Sequence, residues 1–252
     1  MQIRKNMPKT RRKRAFFAFT LEIRAVTLYL IHPSNSFSTD MGPHDMTEPD
    51  FSNVETAGCP AGDAGRDMIL RMNREHGPLR AWGFSHIPAG CSVLDVGCGG
   101  GAALRELAER YPEAVLTGCD ISPLAIETAT ALNPEFVGSG RMRFLRCGVP
   151  DLPFGDSAFD TAFSVESLYF WPDRLAGLKE IRRVLAPGGW FMTALEMVGG
   201  MMNKRQLEIA AHLKMVCPTP DELRALMLEA GFRDVTVELE PDRRWMCAAG
   251  RK

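Results

Sequence analysis

From residue 91 onward, short apolar runs alternate with amphipathic stretches. Cys91–Asp95 is a brief apolar run that closes on an acid, and Gly97-Cys-Gly-Gly-Gly101 follows it. Residues 102–110 then place Leu104, Leu107 and Ala108 on one face of a helix. Residues 114–119 form a second strand pattern ending at Asp120. Pro123 suits the first turn of a helix running to about Leu132, with Ser122 as its N-cap. Further strands are expected at 142–145, 159–165 and 190–195. A helix opening at Asp173 is expected to run to about Leu185 and to end in Ala186-Pro-Gly-Gly189. Pro220-Asp-Glu222 starts a last helix that stops at Gly231, before two closing strands at 232–239 and 244–250. Strands that alternate with helices imply an α/β, doubly wound, mainly parallel seven-stranded sheet with helices on both faces.

Composition narrows the class. The chain has 252 residues, 45% of them hydrophobic and 24% charged, which suits a globular protein and excludes a collagen or a largely disordered chain. The net charge of −1 hides an asymmetry. Eight of the 30 basic residues and two of the 31 acidic ones lie in residues 1–40, leaving the rest of the chain at −7. Such a body is a poor non-specific binder of nucleic acid, whose affinity comes mostly from phosphate contacts. The seven cysteines are odd in number and contain no C-x-x-C pair, so neither a disulfide framework nor a zinc site is expected. Reduced thiols in a cytoplasmic protein are the expectation.

Residues 1–60 read as a basic and apolar extension plus linker, and 61–252 as the folded domain. The apolar run at 15–31 carries Glu22 and Arg24 at its middle, so no stable membrane span is expected. A start at Met41 or Met46 is the favoured account of the extension, ahead of a mobile basic tail or a targeting segment.

The glycine loop carries the first chemistry. Glycines between a strand and a helix let a ligand approach the backbone. In a doubly wound sheet that turn lies in the crevice at the strands' carboxyl ends. Asp120, one strand later, is placed to grip ribose hydroxyls, so loop and acid together point to a nucleoside-containing cofactor. Gly97, Gly99 and Ala102 also satisfy the looser dinucleotide pattern G-x-G-x-x-G/A.

The order of segments separates these options. VLDVGCGGG at 93–101, LTGCDIS at 116–122, LPFGDSAFDTAFSVESLYFWPD at 152–173, IRRVLAPGGW at 181–190 and TPDELRALMLEAGFRDVTVEL at 219–239 together resemble the class I S-adenosylmethionine-dependent methyltransferases. The resemblance is to a methyltransferase type 11-like domain, over roughly residues 60–252. The run at 72–87 is similar to the helical cover of a subgroup whose substrates are mostly unassigned.

The resemblance implies S-adenosylmethionine as cofactor and a small-molecule O, N or C acceptor. It places Gly97, Gly99 and Gly101 along the methionine part, Asp95 at its amino group, Asp120 at the ribose and Ile121 on the adenine. Many relatives carry an acid after the third strand, where this chain has Gly148 and Val149, so adenine is left to backbone groups or to Asp151. Ser164 to Ser167 are expected to face the methyl group and the substrate. The Asp/Asn-Pro-Pro-Tyr and Pro-Cys signatures of nucleic-acid methylation are absent. Asn73, Tyr169 and Trp171 are the candidate substrate residues, with ordinary packing the competing reading of the aromatic pair. His76 and Glu166 are the candidate general bases, each with a structural or binding role as its competitor. His212 sits in a helix-like run at 201–216. Two other readings stay open at this point: a non-catalytic relative of the same fold, and a nicotinamide-dependent oxidoreductase.

Overall fold

The alternating pattern becomes one seven-stranded sheet in the computed structural model, which describes residues 57–88 and 90–252. Of the extension and linker expected at 1–60, residues 1–56 lie outside the described residues. Two helices, α1 (Gly62–Glu75) and α2 (Gly77–Phe84), precede the sheet. They are followed by β1 (Ser92–Val96), α3 (Ala102–Arg110), β2 (Val115–Asp120), α4 (Pro123–Leu132), α5 (Pro134–Gly138), β3 (Met142–Arg146) and β4 (Phe159–Val165). A 3-10 turn at Leu168–Phe170 leads to α6 (Arg174–Val184), β5 (Leu185–Leu195), α7 (Lys204–His212), α8 (Pro220–Glu229), β6 (Arg233–Leu239) and β7 (Met246–Arg251).

The strand order is β3-β2-β1-β4-β5-β7-β6, with β7 antiparallel to both of its neighbours. The chain winds outward from β1 in one direction and from β4 in the other, so the order reverses between them. Ligands bind at such a reversal, beyond the strands' carboxyl ends. Val93 to Val96 are all buried, as are Leu116 to Cys119. That fits central strands covered on both faces, whose sequences read as continuous apolar runs. One buried cluster packs α6 and α8 on one face around Leu178, Ile181, Phe191 and Leu223. The other packs α2 and α3 on the opposite face around Leu79, Leu104 and Phe163.

Local signals explain most element ends. Ser122 caps α4 by accepting from the Ala125 amide at 3.2 Å, and Asp173 caps α6 through the Ala176 amide at 2.9 Å. Thr219 and Glu222 form a reciprocal capping box at α8. The helix expected at 201–216 contracts to Lys204–His212, because Asn203 and Gln206 form a capping box there. β5 starts earlier than expected: Leu185 pairs with Phe159 before the glycine turn, and pairing resumes at Trp190 opposite Thr161. The cover is two helices rather than one, divided at His76 just before Gly77-Pro78. Among the described residues, no helix is long and apolar enough to cross a membrane.

Candidate active site

The glycine loop is fixed to its neighbour strand before any ligand is considered. The amides of Gly97 and Cys98 both donate to the Cys119 carbonyl, at 2.8 and 3.0 Å. The Gly99 amide donates to Asp120 Oδ2 at 3.0 Å, and the Ser122 amide donates to Oδ1 at 2.9 Å. Asp120 thus accepts from both the loop and the turn that opens α4, and its two oxygens have room for further donors. Gly97 has φ +79°, and a Cβ there would sit 2.2 Å from Ser167 Oγ. Gly99 has φ +50°, and a Cβ there would meet nothing within 4 Å. Space above Gly99 therefore opens into the cleft.

The cleft lies over the ends of β1, β2 and β4, under α1. Its lining contains Asp95, Gly97, Gly99, Asp120, Ile121, Gly148, Val149, Asn73, His76, Glu166 and Trp171, all candidates from the sequence. Ala57, Gly58 and Pro60 also line it. Ser122 Oγ donates to the Pro60 carbonyl at 2.7 Å, tying the entry of α1 to the end of β2.

Three candidates fall outside the lining. Gly101 caps α3 with φ +74°, and its Cβ position is closed by Phe144, Asn133 and Ala129 at 2.8 to 3.1 Å. Its lack of a side chain is required by packing. Ser164 is fully buried, one residue before the end of β4, and its hydroxyl has no hydrogen-bond partner. Tyr169 is 3% exposed and belongs to the core. The 3-10 turn at Leu168–Phe170 rotates Tyr169 inward and leaves Phe170 and Trp171 as the aromatic wall. Trp171 Nε1 donates to Ser167 Oγ at 3.0 Å, which holds that wall beside Gly97. Asn73 lines the cleft, but its amide donates to the Gly100 carbonyl at 3.4 Å and thereby anchors α1 to the loop.

The cleft is rich in acids. Burial pushes the Asp95 carboxyl well above the usual range, helped by the charge of Asp120 and opposed by Arg80. Burial also raises Asp120, against three backbone amides that favour its ionised form. At the far end His76, Glu166 and Glu196 bring one ligand-type atom each within 4.8 Å of one another. Burial, then the Glu196 charge, pushes Glu166 up to about 8. Burial, then Arg80 and Arg71, lowers His76 to about 4, so its ring is neutral at physiological pH.

Sequence reasoning missed Glu196 and Arg80. Glu196 follows β5, whose register sets Val165 opposite Ala194 and so brings residues thirty apart side by side. Arg80 is buried, lines the cleft and pairs with Glu106. Its spacing of four from His76 on a helical run was the available signal.

Residues 94–193 match the family profile described as a methyltransferase domain. The O-methyltransferase cnsE of Penicillium expansum is 33% identical over 238 residues, covering 86% of this chain and 80% of that protein. The O-methyltransferase rstn1 of Aspergillus nomiae is 36% identical over 147 residues, covering 57% of this chain and 65% of the relative. The chain thus spans just under two thirds of that protein's length. Among solved structures, geranyl diphosphate C-methyltransferase from Streptomyces coelicolor A3(2) shares the fold, with a TM-score of 0.63 at 18% identity over 77% of this chain and 82% of that one. This chain belongs to the class I S-adenosylmethionine-dependent methyltransferases.

Proposed function

We propose that this methyltransferase moves the methyl group of S-adenosylmethionine to a hydroxyl of a small organic acceptor. The observation that carries the reading is the row of acids along one cleft, Asp120, Asp95 and Glu166, laid over an open glycine loop. The cleft suits this cofactor. The free lone pairs of Asp120 match two vicinal ribose hydroxyls. Ile121 is 52% exposed, a large apolar side chain left uncovered beside Gly148, and suits one face of adenine. Asp95 offers a negative partner to an ammonium group.

When bound, the cofactor supplies a methyl group already activated by a positively charged sulfur. The chain's own work is then placement, exclusion of water and proton removal. Phe170 and Trp171 wall the far end of the cleft, and α1 covers it from above through Asn73. Glu166 takes the acceptor's hydroxyl proton on a carboxylate oxygen. Neutral His76 beside it orients the same hydroxyl. The O-methyltransferase relatives support oxygen as the acceptor atom. The −7 charge of the chain beyond residue 40 favours a small acceptor over nucleic acid. The described cysteines are all free, which fits a reducing, cytoplasmic setting.

The test is a methyl-transfer screen of phenols, enols and alcohols, read as S-adenosylhomocysteine released and mass gained by the acceptor. Methylated oxygen in any of them, lost in Glu166→Ala, supports the reading. Cofactor binding with transfer only to nitrogen or carbon would replace it.

A further inference from the structure

Glu166 and Glu196 stand at the ends of adjacent strands, β4 and β5. The Glu166 amide donates to the Ala194 carbonyl at 3.0 Å, and the Glu196 amide donates to Glu166 Oε1 at 2.6 Å. Glu166 adopts φ +56°, a left-handed backbone that a side chain of this size rarely takes. The chain therefore turns sharply at this residue to bring one carboxyl beside another in a partly buried site. Two like charges so placed do not both ionise readily. We infer that Glu196 is a positioning residue for the acceptor step: its backbone amide aims the Glu166 carboxyl, and its own carboxylate, held within 4.8 Å, makes the pair hold one proton between them.

The surroundings assign the proton within the pair. Burial raises the Glu196 carboxyl above its ordinary range, Arg243 opposes that rise and Glu75 adds to it. Glu166 faces Glu196, the buried Tyr169 hydroxyl and the Cys217 thiol. His76 completes the group and is itself held neutral beside Arg80 and Arg71. Arg243 favours the charge on Glu196, whereas the groups acting on Glu166 among the described residues include no cation, so Glu196 carries the charge and Glu166 carries the proton. A carboxyl that holds its proton to about pH 8 is a stronger base, once ionised, than an ordinary one. That strength suits a weakly acidic hydroxyl such as a phenol, whose own value lies near 10. The inference rests on the proposed transfer to oxygen for its purpose, but the shared proton itself does not.

The experiment therefore reads the proton directly. The full chain is labelled with glutamate enriched at the side-chain carboxyl carbon, and each carboxyl is followed by NMR from pH 4 to pH 10, with Glu166→Gln used for assignment. Glu166 is expected to titrate near 8 in the wild type. In Glu196→Gln its midpoint falls by at least one pH unit, though not to the ordinary value, because burial is the larger cause and remains. Glu196→Asp retains most of the effect. An unchanged Glu166 midpoint in Glu196→Gln overturns the inference, and so does a wild-type Glu166 that titrates in the ordinary range. Repeating the titration with added Mn2+ tests the competing occupant: selective broadening of the Glu166 and Glu196 signals, lost in both Gln variants, makes the cluster a cation site instead. With any hydroxyl acceptor that the screen yields, the kcat/KM profile of Glu196→Gln moves to lower pH by a similar amount while the KM for S-adenosylmethionine holds. Failure of the screen with the NMR shift present removes the acceptor reading and leaves the pair.

Discussion

Asp120 shows how much one side chain does here. One carboxyl orders the glycine loop through Gly99, caps the following turn through Ser122 and still presents oxygen to the cleft. Asp120→Ala is expected to weaken S-adenosylhomocysteine binding by about 1–3 kcal/mol, the scale for leaving buried partners unpaired. Calorimetric titration checks it, and equal affinity in a folded variant would remove the ribose assignment. Glu166 carries a second expectation, with a definite sign. Its folded value, about 8, lies above the ordinary 4.5, so the folded state keeps a proton that the unfolded state has released between those values. Stability from this group is therefore present at low pH and declines as pH rises toward 8. Glu166→Gln lacks that decline. Its unfolding free energy is expected to exceed the wild type's by at least about 1.4 kcal/mol at pH 9, one pH unit's equivalent, and to converge with it near pH 4.5. Parallel denaturation curves at the two pH values decide, and a gap that does not change with pH would refute it.

At the level of elements, the reading from sequence succeeded where local chemistry decides. The span of α3, the Ser122 and Asp173 caps, β4 and the stop at Gly231 each follow from neighbours in the chain. It fell short where distant partners decide. Tyr169 and Trp171 looked alike in sequence; both are buried in one core cluster, and of the two Trp171 alone also lines the cleft. Gly101 looked like its fellow loop glycines, yet Phe144, on a strand forty residues later, closes the space above it. Glu196 had no motif around it; the β4–β5 register alone gives it a role. The division of the cover at His76 was within reach, since Gly77-Pro78 is a helix-start signal. An element-scale prediction follows from Ser122, which both caps α4 and tethers Pro60. Ser122→Ala is expected to lower stability by about 1–2 kcal/mol through the lost cap and bond. Amide hydrogen exchange is expected to rise in the first turn of α1 as well as of α4. Faster exchange in α4 alone would mean the tether does not hold the cover.

For the whole molecule, the cleft is where three separate pieces meet: the sheet's carboxyl ends, the cover α1 and the entry segment at Ala57–Pro60. A ligand that touches all three binds only the folded chain, so its binding free energy adds to global stability. At a hundred times its dissociation constant, the added stability is about 2.7 kcal/mol. For a domain of this size each kcal/mol raises Tm by roughly 2–4 °C. S-adenosylmethionine and S-adenosylhomocysteine are therefore each expected to raise the melting temperature by about 5–11 °C at that excess, and NADH not at all. The dinucleotide pattern in the loop makes NADH the informative control, because Gly97, Gly99 and Ala102 alone would admit it. A rise with NADH and none with the other two would mean that the family's fold has been put to another cofactor. No rise with any of the three would leave a scaffold whose row of cleft acids serves no nucleoside, and Asp120→Ala should then be silent too. A rise with the two sulfur compounds that disappears in Asp120→Ala ties the melting of the whole chain to one carboxyl at the end of β2.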